Sequence, residues 1–300
     1  MVAKEQFETT GEGLLVRAPA KINLSLLIAG QRPDGFHEIE TVMAKVTWYD
    51  ELLVQQGIKP GIELICKGPY WAPAGEENLI YQACRLLLER SCSQADVKIT
   101  LTKNIPAGSG LGSASSDAAA ALLGVSRFLR LGFDKAQLAE PAVSLGSDVA
   151  FFLNGPLAFC SGKGEKIKQI DKIFNFLALI IAPDVSVSTK EVYDNYKHNQ
   201  SLYKRLKSCI NDNIRKNRID LASKMCANML QPSCFHLFKG LAEFKAEVES
   251  LGLAPVCLSG SGAAMFYIFD NVDEKKAFEY RDKLQEKISC KSIIVTNNRW

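Results

Sequence analysis

The stretch Ile105-Pro-Ala-Gly-Ser-Gly-Leu-Gly-Ser-Ala-Ser-Ser-Asp117 constrains this chain more than any other. It follows a short alternating run in which Val97, Ile99 and Leu101 are separated by polar residues, and it precedes an alanine-rich run from Ala118 to Leu123. Alternation reads as a half-buried strand and the alanine run as a helix, so the stretch joins strand to helix. Gly108, Gly110 and Gly112 recur at every second position, where the backbone can take positive φ and approach a ligand closely. Ser115 or Ser116 is expected to cap the helix. Its first amides are then free at the positive end of the helix dipole, where phosphate is the usual occupant. The stretch lacks the Gly-Lys-Ser/Thr ending of a Walker A loop. A dinucleotide fingerprint begun at Gly110 and Gly112 would need glycine where Ser115 stands. Taken alone, an ordinary Gly/Ser connection is the competing reading.

Three hundred residues allow one large domain or two of ordinary size. With 47% hydrophobic and 23% charged residues, the composition is that of a soluble globular protein with a sizeable core. A net charge of +3 argues for neither a nucleic-acid nor a membrane partner. The densest basic segment, from Lys204 to Lys224, lacks interleaved aromatics and is interrupted by Asp212 and Asp220, which reads as a solvated helix face. Cysteines at 66, 84, 92, 160, 209, 226, 234, 257 and 290 form no Cys-x-x-Cys pair, so free thiols in a reducing cytoplasm are expected. The first residues carry no apolar leader core, and the longest apolar run, Phe176 to Ala182, is too short to span a bilayer.

Along the chain, Leu14 to Ala18 reads as a strand that Pro19 and Ala20 punctuate. Ile22, Leu24, Leu26 and Ile28 alternate as one face of a second strand. The opposite face carries Lys21, Asn23 and Ser25, turned either to solvent or to a ligand. Pro33-Asp34-Gly35 is a tight turn that sets Phe36 and His37 just before a strand from Ile39 to Trp48. Such a pair is either structural or able to stack on and hydrogen-bond a planar base. Strands follow near 52–54 and 62–66, then a helix from Asn78, and Asp134 caps another helix with Leu138, Ala142 and Leu145 inward. Asp148, flush against Val149 to Leu153, is either a cap or a partly buried functional carboxylate. A change of composition near residue 163 marks a boundary, giving units 1–162 and 163–300. The second unit reads as strand 174–182, helices between 188 and 250, strand 256–258, the turn Ser259-Gly-Ser-Gly262, strand 263–269, helix 272–287 and strand 291–296. That β-α-β-β-α-β order is ferredoxin-like.

Three motifs together resemble the signature of the GHMP kinase superfamily: Ala18-Pro-Ala-Lys-Ile-Asn23, Pro106 to Ser116, and Leu258-Ser-Gly-Ser-Gly-Ala263. Further hallmarks are similar to the branch of that superfamily acting on 4-diphosphocytidyl-2-C-methyl-D-erythritol. They are Arg32-Pro-Asp-Gly-Phe-His37, Glu77-Asn78-Leu-Ile80, Leu145-Gly-Ser-Asp148-Val-Ala-Phe-Phe152 and Gly162-Lys-Gly-Glu165. The resemblance runs from about residue 14 to residue 296 and implies an α+β, two-domain architecture. An N-terminal ribosomal-protein-S5-like ATP domain and a C-terminal ferredoxin-like substrate domain would flank an active-site cleft.

The implied reaction is ATP-dependent phosphorylation of that substrate's 2-hydroxyl in non-mevalonate isoprenoid synthesis. Alternatives are a kinase for another small alcohol, such as mevalonate or homoserine, and a catalytically silent nucleotide sensor. Lys21 and Asp148 match the catalytic pair, the acid orienting or deprotonating the hydroxyl and the lysine offsetting charge at the transferred phosphoryl group. Asn23, Phe36 and His37 would hold the cytidine diphosphate end, and Thr189 matches a position near the methylerythritol end. Asn78, Leu79 and Lys103 would surround adenine. Pro106, Ala107, Gly108, Ser109, Gly110, Leu111, Gly112, Ser113, Ala114, Ser115 and Ser116 would wrap the ATP phosphates, which carry Mg2+ with few protein ligands. A monomer or weak homodimer working in the cytoplasm is expected. Phe36 stands where the family usually has Tyr, keeping the stacking face without the hydroxyl. Ser109, Ser113 and Ala114 make the loop less glycine-rich than is usual.

Overall fold

The computed structural model describes residues 4–171, 174–269 and 272–300; the first three residues of the leader-free N-terminus expected above lie outside them. The first half runs β1 (Phe7–Thr9), β2 (Leu14–Gln31), β3 (His37–Gln56), β4 (Ile62–Lys67), α1 (Leu79–Arg90), β5 (Val97–Thr102), α2 (Ser113–Phe128), α3 (Lys135–Leu145), α4 (Val149–Leu153), β6 (Leu157–Gly162) and β7 (Lys166–Gln169). These seven strands form one sheet, with β1-β2-β3-β5-β4 in order and β6 pairing with both β3 and β7. The parallel β4–β5 pair needs a crossover, which α1 supplies. Helix α2 packs on β2 and β3, with α1, α3 and α4 beside it.

The second half continues with β8 (Leu177–Ala182), α5 (Thr189–Asp194), α6 (Gln200–Arg215), α7 (Ile219–Lys224), α8 (Gln231–Leu237), α9 (Lys239–Ser250), β9 (Cys257–Leu258), β10 (Met265–Ile268), α10 (Glu274–Lys287) and β11 (Lys291–Thr296). Its sheet has the antiparallel order β11-β8-β10-β9, the ferredoxin-like arrangement. Strand β8 is buried along its whole length, as the unbroken apolar run Leu177–Ala182 requires of a central strand. The basic residues Lys204, Arg205, Arg215, Lys216 and Arg218 face solvent along and just beyond α6.

Several elements differ from the sequence reading. Pro19 does not end a strand: β2 runs through it and changes register between Pro19 and Ala20, where the irregular pairing spares proline a ladder donor. Strand β3 likewise spans the two strands expected at 39–48 and 52–54. Helix α2 starts at Ser113, so neither Ser115 nor Ser116 caps it; Gly112, at φ 68°, holds the cap position without a side-chain bond. The thiols are not all free, because Cys226 and Cys257 form a disulfide across a sequence separation of 31 residues. Asp134 does cap α3, in a reciprocal capping box with Gln137.

The long β2–β3 ribbon joins two hydrophobic clusters. Leu14, Val16, Leu52 and Val54 pack with α1 and α2 through Leu87 and Leu122. Further along the same strands, Ile22, Leu24, Leu26 and Val46 pack with Leu179, Met265 and Val295 of the second sheet.

Candidate active site

A cleft of about 1190 Å³ opens where the two halves meet, lined by β2, the turn after it, the glycine loop, the start of α5 and the 259–262 turn. Its floor is the polar face of β2. Lys21 Nζ donates to Asn23 Oδ1 at 2.6 Å, Asn23 Nδ2 donates to Thr41 Oγ1 at 2.8 Å, and Thr41 Oγ1 donates to the Ser25 carbonyl at 2.6 Å. This buried chain holds Lys21, which is 4% exposed, in one orientation. Asp148 Oδ2 lies 3.6 Å from Lys21 Nζ. Asp148 stands at the start of α4 but makes no side-chain capping bond, so its carboxylate is not consumed by the helix and faces the cleft.

The glycine loop reaches this pair through backbone contacts that side chains would prevent. A Cβ on Gly110 would lie 2.2 Å from the Ser259 carbonyl oxygen, and one on Gly112 would press on Lys21 and on the Phe152 ring. The Lys21 N–H donates to the Leu111 carbonyl at 2.9 Å, fixing loop against strand. Gly108, Ser109, Gly110, Gly112, Ser113, Ala114 and Ser115 line the cleft. Among them Ser109 Oγ is turned back to the Pro106 carbonyl at 2.7 Å. Pro106, Ala107, Leu111 and Ser116 are not among the lining residues. Leu111 is 1% exposed in the core, and Ser116 is equally buried.

The adenine candidates sit apart from the cleft wall. Asn78 caps α1, accepting from the Ile80 N–H at 2.9 Å and donating to the Pro73 carbonyl at 2.7 Å, with half-buried Leu79 next to it. Lys103 is 2% exposed and its Nζ is spent on Asp50 Oδ2 at 2.5 Å, Asp117 Oδ2 at 2.6 Å and Ser113 Oγ at 2.6 Å. Burial opposes the Lys103 charge, and the two carboxylates overcome that and raise its pKa. Burial pushes the Asp117 carboxyl well above the ordinary carboxylate range. The cluster fastens the root of the glycine loop to β3, through Asp50 Oδ1, which accepts from the N–H groups of Asn104 and Ile105.

The cleft wall also carries an aromatic group. Phe36 is 57% exposed, and the Lys163 ammonium sits 4.0 Å from its ring centroid while pairing with Asp34 at 3.2 Å. The His37 ring lies 5.4 Å from that of Tyr193 and 5.6 Å from that of Tyr196. Burial lowers the His37 pKa; Asp194 works against this and His198 with it. The imidazole is then neutral at pH 7 and offers one donor and one acceptor. Thr189 opens α5 and its hydroxyl meets Ser261 Oγ at 2.8 Å across the cleft wall. Sequence reasoning missed Tyr193 and Tyr196. The signal for Tyr193 was spacing, since it follows Thr189 by one helical turn and so shares its face, whereas Tyr196 lies beyond the end of α5 and carried none.

Fold and cleft together define a small-molecule kinase, with a glycine loop, an acid–lysine pair and an aromatic wall around one cleft. Residues 78–156 match the GHMP kinases N terminal domain and residues 210–287 the GHMP kinases C terminal domain. The chain belongs to the GHMP kinase family. It is 32% identical over 272 residues to a 4-diphosphocytidyl-2-C-methyl-D-erythritol kinase of Clostridium botulinum, covering 91% of this chain and 96% of that one. It is 36% identical over 253 residues to the Bacillus cereus protein of the same name, covering 84% and 87%. A crystal structure of 4-(cytidine 5'-diphospho)-2C-methyl-D-erythritol kinase superposes with a TM-score of 0.76 at 30% identity, over 95% of this chain and all of that one. A homoserine kinase of Cytophaga hutchinsonii, at 19% identity and a TM-score of 0.75, shares the fold.

Proposed function

We propose that this chain transfers the γ-phosphoryl group of ATP to the 2-hydroxyl of 4-diphosphocytidyl-2-C-methyl-D-erythritol, giving the 2-phosphate and ADP in the non-mevalonate route to isoprenoid precursors. The observation that carries this reading is the aromatic lining of the cleft by Phe36, His37, Tyr193 and Tyr196. A cytosine ring fits such a lining by stacking and by hydrogen bonds to a neutral imidazole. A kinase for mevalonate or homoserine has no planar group to place there.

The substrate hydroxyl is oriented by Asp148, whose carboxylate accepts its proton as the oxygen attacks the γ-phosphorus and the bond to the β-phosphate oxygen breaks. Lys21, held by Asn23, offsets charge on the transferred group. Asn23, with Phe36 and His37, holds the cytidine diphosphate end, Thr189 borders the path of the methylerythritol chain, and the amides and hydroxyls of residues 108–115 receive the ATP phosphates. Asn78 and Leu79 border adenine, Pro106, Ala107, Leu111 and Ser116 support the phosphate loop from behind, and Lys103 acts only by fastening the root of that loop.

Among the described residues no group of three or more His, Cys, Asp or Glu could hold a metal. The Ser115 hydroxyl and the Asp148 carboxylate fit a magnesium ion carried on the nucleotide phosphates with mostly water ligands. Bound there, it would neutralise phosphate charge. No described helix is long and apolar enough to cross a membrane. A cytoplasmic enzyme, monomeric or weakly dimeric, completes the proposal; the boundary between its two units falls after β7, which pairs with β6 of the first sheet, rather than at residue 163.

The test is ADP release by purified protein with Mg-ATP and each candidate alcohol, with Asp148→Asn alongside. Turnover is expected only with the cytidyl substrate, and the variant is expected to lose about 10²–10⁴ in kcat. Turnover with mevalonate or homoserine instead would overturn the assignment of the aromatic wall. Tight nucleotide binding with no turnover would mark a sensor.

A further inference from the structure

The 259–262 turn has a front and a back. At the front, Ser259 Oγ donates to the Gly110 carbonyl at 3.0 Å and accepts from the Asn23 N–H at 3.3 Å. A Cβ on Gly260 would lie 3.4 Å from Lys21 Nζ, so the turn touches the glycine loop and the reacting lysine at once. At the back stands Asn228. Its Nδ2 donates to the Leu258 carbonyl at 3.0 Å and to the Gly260 carbonyl at 2.8 Å, while its Oδ1 accepts from the Leu230 N–H at 2.9 Å. Asn228 is itself fixed to the strand that bears Lys21. The Leu26 N–H donates to the Ala227 carbonyl at 2.7 Å, and the Met229 N–H donates to the Leu26 carbonyl at 2.9 Å.

In a trans peptide the carbonyl and the following N–H point in opposite directions. With the Gly260 carbonyl drawn back to Asn228, the Ser261 N–H points forward, into the cleft that Gly260 and Ser261 line. A donor aimed before substrate arrives needs no reorganisation during reaction.

We propose that Asn228 is a positioning residue for phosphoryl transfer: by holding both carbonyls of the turn it aims the Ser261 N–H at the transferred group and keeps Gly260 against Lys21. The inference rests on the phosphoryl-transfer reading above. The Cys226–Cys257 bond ties the same two segments a second time, so loss of the Asn228 donors loosens the turn without unfolding the chain.

Asn228→Asp keeps the shape and the acceptor for Leu230 but repels both carbonyls, and Asn228→Ala removes the donors without adding charge. In each, kcat is expected to fall about 10- to 100-fold, while KM for the cytidyl substrate stays within about threefold, since the aromatic wall is untouched. Amide hydrogen exchange of the ligand-free protein is expected to quicken over residues 258–264 and to stay unchanged over β5 and α2. Unchanged kcat in either folded variant would overturn the proposal. So would kcat, both KM values and the melting temperature failing together, the mark of a purely structural residue. If one variant fails to fold, the other is read by the same criteria. If wild-type protein does not phosphorylate the cytidyl substrate, the functional reading falls on its own, and exchange over 258–264 still decides whether Asn228 holds the turn.

Discussion

Lys45 is a charge without a counter-ion among the described residues. Its Nζ, 1% exposed with the rest of the side chain, donates to the Phe152 carbonyl at 3.0 Å and the Asn154 carbonyl at 2.6 Å, with the Phe151 and Trp300 rings each 5.9 Å away. Burial, with Lys135 adding to it, lowers its pKa from 10.5 to about 7. The unfolded chain therefore holds a proton here that the native state releases between about pH 7 and pH 10.5. Stability contributed at this site is lowest below pH 7 and rises with pH through that window, by several kcal/mol in all on the order of 1.4 per pH unit. Urea titrations of wild type and Lys45→Met should show the variant's advantage shrinking steadily from pH 6.5 to pH 9.5, and a constant gap would refute the assignment. His37 favours the same side of the pH scale. Because its pKa is lowered, KM for a base-bearing substrate should stay flat from pH 8 to about pH 6.5 and rise only in more acid solution. His37→Asn should remove that rise, as steady-state kinetics across the range would show.

Among the elements, the glycine loop and its two flanking motifs were legible because close approach of backbone to backbone leaves little choice of residue. Gly110→Ala tests this: a Cβ 2.2 Å from the Ser259 oxygen, at φ 80°, must displace the turn. The expected result is a loss of about 1–3 kcal/mol of stability and a marked weakening of nucleotide binding in a calorimetric titration. Asp134→Ala should cost about 1 kcal/mol by loss of the α3 cap and leave kcat unchanged. Other elements were not legible. Pro19 reads as a strand end in any local window, and only its pairing with β3 reveals the bulge. Lys103, Asp50 and Asp117 are far apart in sequence and become one cluster only when β3, β5 and α2 converge. Lys103 therefore reads as an available cation when it is a structural one. Cys226 and Cys257 carry no spacing signature, so composition alone pointed to free thiols.

At the scale of the whole molecule, the two clusters share β2 and β3 and should not melt separately. Phe266→Ala, in the cluster around the second sheet, is expected to cost about 3–5 kcal/mol. That loss should appear in the one transition by which α1 and α2 also unfold. Far-ultraviolet and near-ultraviolet circular dichroism curves that coincide in denaturant would support this, and two separated transitions would refute it.

The shared ribbon also sets a schedule for synthesis on the ribosome. Strands β2 and β3 emerge early, yet the apolar face formed by Ile22, Leu24, Leu26 and Val46 has no partner until β8, β10 and β11 have been made. For much of translation the nascent chain therefore displays an adhesive strip with no intramolecular cover. Slowing elongation after β3 should raise the load on ribosome-bound chaperones more than the same pause after β10.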